Sequence, residues 1–201
     1  ALFLTVLTVG RFIWLEHFTL PDAPAAQNGI LDLRDWGPIT ESTLPLNGEW
    51  DFYPETFLYG DGYNPESTIA AAPKQQSADM SESNNYDFGT YRLRIQLEPG
   101  AYTSVGLRLP TIRSAAEVYI NGDRITDNGS IGKSAATYEP VNRPQTLYYT
   151  VDESGILDLV IQYADFDYAS KKGISQPITF GLIGPFTRSQ NFTTIIVIVP
   201  S

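Results

Sequence analysis

The chain has 201 residues, 42% of them hydrophobic and 18% charged, enough apolar material for one ordinary domain with a buried core. Its formal net charge of -10 opposes binding to phosphate backbones, so no nucleic-acid partner is expected. The absence of cysteine removes disulfides, thiolate catalysis and zinc sites built on sulfur.

The chain opens on "ALFLTVLTVGRFIWL", apolar from Ala1 to Leu15 apart from Gly10 and Arg11. This run is shorter than the ~20 residues of a spanning helix. Because it begins with Ala rather than Met, it reads as the distal part of a transmembrane signal anchor over 1–20. A signal peptide cut near Ala23 to Ala25 and a buried amphipathic helix are the other readings. Residues 21–39 form a linker and edge segment, in which "LPDAPAAQNG" sustains neither helix nor strand and "GILDLRDW" is a short strand.

From residue 40 to 187 strand-like runs alternate with Gly/Pro punctuation. "LNGEWDFYP" sets Trp50 and Phe52 on one face against Glu49, Asp51 and Tyr53 on the other. Residues 60–87 are a long polar insertion without a clear period. In "GTYRLRIQLEPG" Tyr91, Leu93, Ile95 and Leu97 point inward and Arg92, Arg94 and Gln96 outward, while "SVGLRLP" buries Val105, Leu107 and Leu109. "IRSAAEVYINGDRI" buries Ala116, Val118 and Ile120 before an Asn121-Gly122 hairpin turn. "QTLYYTV", "GILDLVIQYADFDY" and "QPITFGLIGPF" complete the set, the second with Leu157, Leu159, Ile161 and Tyr163 on one side. "TTIIVIVPS", within the exit segment 188–201, either restarts toward the membrane or forms a last strand. Short strands, frequent turns and 12% aromatics predict an all-β sandwich or jelly roll preceded by an apolar helical segment.

Residues for covalent catalysis are scarce. His17, the one histidine, borders the apolar N-terminal run, and HExxH, GxSxG and a cysteine nucleophile are all missing. "DNGSIGKS" imitates a phosphate loop, but Asp127 stands where its first glycine belongs, so the stretch reads as a Gly-rich loop. Asp165 and Asp167 at a strand end supply oxygen ligands for a structural Ca²⁺, although a solvated strand end is the commoner arrangement. Otherwise no cofactor is expected. Glu117 and Asp165 are the carboxylates a glycosidase reading would use, without positive support. Trp50, with Phe52 as its period-2 partner, belongs to the core rather than to a sugar platform. "NGS" at Asn128 and "NFT" at Asn191 match a glycosylation pattern too short to carry weight.

In order along the chain, "LNGEWDFYP", "FGTYRLRIQL", "LRLPTIRSAAEVYINGDRI", "GSIGKS", "NRPQTLYY" and "LDLVIQYADFDYASKKGISQPITFG" resemble one family over roughly residues 40–185. It is the extracellular jelly-roll sensor domain of bacterial seven-transmembrane receptors with diverse intracellular signalling modules. "L-x-G-x-W-x-F" and "S-A-x-V-Y-x-N-G" also occur in the β-sandwich domains of β-galactosidases and β-glucuronidases. Both groups share the galactose-binding-like fold, which the resemblance therefore implies. It further implies a non-catalytic, membrane-attached, extracytoplasmic module, with a cytoplasmic output such as a diguanylate cyclase or histidine kinase.

The implied ligand is a carbohydrate or other small polar molecule, or a periplasmic protein, and a homodimer is compatible with the sequence. On such a fold Arg113 and Arg143 are candidate donors. Asn142, Asp165 and Asp167 are candidate acceptors, and Tyr168 is a stacking face, all converging on one loop rim. Glu117, in mid-strand, is expected on the solvated face or paired with a neighbouring Arg. Two other readings are a carbohydrate-binding accessory domain of a secreted glycoside hydrolase and a protein-interaction module.

Overall fold

The computed structural model describes residues 23–40, 42–60, 76–79, 85–100, 103–110, 114–141, 143–167, 172–174, 176–184, 187 and 196–198. The expected N-terminal anchor over 1–20 lies outside them.

In chain order the strands are β1 (Ile30–Asp32), β2 (Leu44–Pro45), β3 (Glu49–Pro54), β4 (Gln76–Asp79), β5 (Phe88–Gln96), β6 (Thr103–Leu109), β7 (Ala115–Ile120), β8 (Asp123–Ser130), β9 (Glu139–Pro140), β10 (Gln145–Val151), β11 (Ile156–Ala164), β12 (Thr179–Leu182) and β13 (Ile196–Ile198). The larger sheet runs β4-β3-β5-β11-β7-β8-β9, with β1 pairing in parallel beside the end of β5. The smaller runs β13-β10-β6-β12-β2. One continuous apolar cluster joins the inner faces of both sheets, so the described residues form an all-β, jelly-roll-like sandwich with almost no helix among them.

Alternation decides which side chains enter that cluster. Trp50 and Phe52 of β3, Tyr91, Leu93 and Ile95 of β5, and Leu157, Leu159, Ile161 and Tyr163 of β11 meet Val105, Leu107, Leu147 and Phe180 from the smaller sheet. Burying a side chain of this kind contributes about 1.5–3 kcal/mol. Trp50 is fully buried, and its indole N–H donates to the Leu46 carbonyl at 3.3 Å. The Asn121-Gly122 hairpin forms as read, with φ of 49° and 93° at its two central residues, as a type I′ turn requires. The Asn121 amide then accepts from the Asp158 N–H at 2.7 Å and donates to the Ile156 carbonyl at 3.2 Å, locking the turn to β11.

Several expectations need correction. The insertion at 60–87 lacks a legible period, yet its residues 76–79 form β4, antiparallel to β3. The stretch read as a Gly-rich loop at 127–134 begins as the end of β8. The outward face of the larger sheet is also far from fully solvated: Tyr53 and Asp51 are both buried on it. A second cluster of Tyr53, Leu58, Tyr119 and Val160 occupies this face. Beside it lies a third, where Phe57, Phe88, Ile131 and Phe166 pack on Ala115, Tyr138 and Ala164. Residues 55–60 supply part of that cover.

Candidate functional site

The site lies on this covered outer face. Because β7 turns Ala116, Val118 and Ile120 inward, it must turn Ala115, Glu117 and Tyr119 outward. Strand register sets Glu117 directly beside Gln162 of β11, and Gln162 beside Thr90 of β5. On the other side a β-bulge between Val118 and Tyr119 adds one residue on β8 and brings Arg124 opposite Tyr119. Thus a carboxylate, a phenol, an amide and a guanidinium share one patch.

Their contacts form a network. The Tyr119 hydroxyl donates to Glu117 Oε2 at 2.8 Å, and the Gln162 amide reaches the same oxygen at 3.5 Å. Arg124 Nη2 lies 3.2 Å from Glu117 Oε1 and 2.6 Å from Asp127 Oδ2. The Glu117 side chain is 16% exposed and that of Arg124 is 49% exposed, so the pair sits at the boundary between sheet and solvent. Burial, then the Glu117 hydrogen bond, pushes the Tyr119 phenol well above its ordinary pKa. At neutral pH Tyr119 is therefore a donor, and it holds Glu117 in the geometry of an acceptor.

Above this patch opens a pocket of about 510 Å³, with Glu117, Tyr119 and Arg124 at its base and Phe57, Tyr59 and Ile131 among its walls. Tyr59 stacks on Tyr119 with ring centroids 4.3 Å apart and planes 15° from parallel. The pocket joins an aromatic wall to paired charges of opposite sign. Chemically, such a combination offers a carboxylate acceptor at Glu117 beside a guanidinium donor at Arg124, next to an aromatic surface.

Of the six residues predicted for the site, Arg113, Asn142 and Tyr168 lie outside the described residues. Arg143 is exposed, and its carbonyl accepts from Asn128 Nδ2 at 2.8 Å. Asp165 is 3% exposed rather than solvated, and its Oδ1 accepts from the Asp167 N–H at 3.3 Å. Asp167 is exposed and accepts from the Tyr138 hydroxyl at 3.4 Å. Phe166, between the two aspartates, packs on the same cluster as the pocket walls Phe57 and Ile131. The strand end therefore lies behind the pocket wall. Among the described residues no group of three or more His, Cys, Asp or Glu is placed to hold a metal ion. Among them, too, no helix is long and apolar enough to cross a membrane.

Sequence reading missed Tyr59, Gln162 and Arg124; of its two expectations for Glu117, a solvated face or a neighbouring Arg partner, the pairing with Arg124 is the one the structure shows. A signal was available: the outward positions flanking Gln162 are Val160 and Ala164, and those flanking Glu117 are Ala115 and Tyr119. Apolar neighbours on a nominally wet face mark a face that something covers.

No family model matches the chain, and no curated protein matches it. Among solved structures, a Faecalibacterium prausnitzii β-glucuronidase is similar at 14% identity and a TM-score of 0.45, over 69% of this chain and 31% of that one. A GH2 β-galacturonidase from Eisenbergiella tayi bound to galacturonate gives 15% identity and 0.46, over 74% of this chain and 26% of that one. A Ruminococcus gnavus β-glucuronidase gives 13% and 0.43, over 69% and 27%. The chain spans less than a third of each. A likeness at this level leaves the fold to be read from the strand order itself and speaks to no activity.

Proposed function

We propose that the chain is a non-catalytic binding domain for a carbohydrate or similar small polyhydroxylated ligand, and the extracytoplasmic input module of a bacterial membrane receptor. The observation that carries the binding reading is the Glu117–Arg124 pair in the pocket whose wall includes Tyr59. A vicinal diol donates one hydroxyl hydrogen to Glu117 and accepts at its neighbour from Arg124, and the apolar face of a sugar ring rests on the aromatic wall. Glu117 is the one carboxylate among the described residues lining the pocket. Asp127, its cross-strand neighbour, is tied to Arg124 and does not line it. Glycoside hydrolysis needs two carboxylates flanking the bond, so this arrangement favours binding over cleavage.

The receptor half of the reading is supported by the sequence resemblance. An accessory domain of a secreted glycoside hydrolase uses the same ligand chemistry but a different attachment. Fractionation of the full-length protein separates them: a membrane pellet for the receptor, a soluble secreted form for the enzyme. The binding half is tested by thermal shift against neutral mono- and oligosaccharides. A ligand at a hundred times its Kd adds ~2.7 kcal/mol, which raises Tm by roughly 5–10 °C in a domain of this size. The expected result is such a shift, abolished by Glu117→Ala. No shift with any saccharide, or a shift that survives Glu117→Ala, overturns it.

A further inference from the structure

The wall of the pocket is not part of the sheet. Residues 55–60 leave β3 through Glu55, whose φ of 51° reverses the chain, and fold back over the outer face. Three attachments hold them there. The Glu55 N–H donates to the Phe88 carbonyl at 3.0 Å. The Thr90 hydroxyl donates to the Thr56 carbonyl at 2.6 Å. The third attachment is Gln162, a fully buried amide in mid-strand. Its Oε1 accepts from the Tyr59 N–H at 2.5 Å and its Nε2 donates to the Tyr59 carbonyl at 3.1 Å. One side chain thus satisfies both backbone groups of Tyr59, as a neighbouring strand would. Leu58 is buried beneath the segment, and Tyr59 is laid on Tyr119.

A fully buried glutamine needs such partners, because an unsatisfied amide there costs more than its bonds return. The same Nε2 also lies 3.5 Å from Glu117 Oε2. Strap and carboxylate are therefore linked twice, through Gln162 and through the Tyr59–Tyr119 stack.

We infer that residues 55–60 are a strap latched by Gln162, and that Gln162 is the positioning residue of the pocket, fixing Tyr59 on Tyr119 as one wall of the pocket without needing to touch the ligand. The inference rests on reading the Glu117 pocket as the ligand site. It gives Gln162 a role distinct from fold stability, which a pair of readouts isolates. In Gln162→Met, which keeps the length of the side chain and removes both hydrogen bonds to Tyr59 together with the longer contact to Glu117, amide exchange at Tyr59 accelerates while the amides of β5 and β11 keep their protection. Affinity for whichever saccharide shifts the wild type falls at least about tenfold, ~1.4 kcal/mol. Thr90→Val, which removes the second tether, moves Tyr59 exchange in the same direction and serves if Gln162→Met does not fold.

Unchanged Tyr59 exchange in folded Gln162→Met overturns the strap. Full saccharide affinity in that variant overturns the positioning role while leaving the binding reading intact. If no saccharide binds the wild type, the binding reading fails, the positioning role fails with it, and the exchange data still decide the latch.

Discussion

A charged side chain on a strand whose other face is buried normally projects into water, and Glu117 would do so were Tyr119 and Arg124 not its neighbours. Its role depends on those two contacts, one a neutral donor and one a cation. Arg92 shows the structural counterpart of such pairing. Its Nε and Nη2 meet the two oxygens of Asp158 at 2.8 Å each, with side chains only 15% and 20% exposed. The carboxylate holds the guanidinium pKa above its already high value, against the opposing effect of burial. Arg92→Met leaves Asp158 charged, partly buried and unpaired, and should destabilise the domain by about 2–3 kcal/mol in denaturant unfolding. Adding Asp158→Leu should recover most of that loss. A double variant no better than the single one would mean that packing, not charge pairing, gives Arg92 its value.

At the scale of elements, alternation was legible because each strand's inner face repeats every second residue against one continuous core. Trp50, Tyr91, Leu159 and Val118 could be placed for that reason, as could the Asn121-Gly122 turn, whose two positive φ values have a specific residue requirement. The outer cover was not legible, because Phe57, Leu58 and Tyr59 come from a segment without a period, and Tyr59 meets Gln162 from 103 positions away. The β8 bulge was equally hidden, since an extra residue leaves no mark in a polar stretch. The end of β8 has its own requirement. Gly129 adopts φ +77°, and a Cβ there would fall 2.0 Å from the Glu139 carbonyl oxygen. Gly129→Ala should therefore cost about 2 kcal/mol or more and loosen the β8–β9 pairing first, as faster amide exchange in that pair would register. Equal protection throughout would show that the backbone accommodates the methyl group.

Across the whole molecule, burial on the two sheets marks the tyrosines. Tyr53, Tyr119 and Tyr149 all have pKa values raised from 10.0, with burial the largest cause for each. When the chain unfolds, these phenols ionise near pH 10, whereas folded they keep their protons to higher pH. Above that pH the unfolded state binds fewer protons, so stability present below pH 10 is lost as pH rises beyond it. Urea midpoints on either side of pH 10 should show this fall, and Tyr119→Phe should make it shallower; an identical slope in the variant would mean that Tyr119 does not contribute to it. Ligand binding at the Glu117 pocket is open to test on a glycan array. Labelled wild-type protein, Glu117→Ala, Arg124→Ala and, as a surface control, Arg108→Ala would be applied to the same immobilised saccharides. Wild type and Arg108→Ala should bind a common subset, which Glu117→Ala and Arg124→Ala both lose while remaining folded. Binding that persists in both pocket variants, or no saccharide bound by folded wild-type protein, would contradict it.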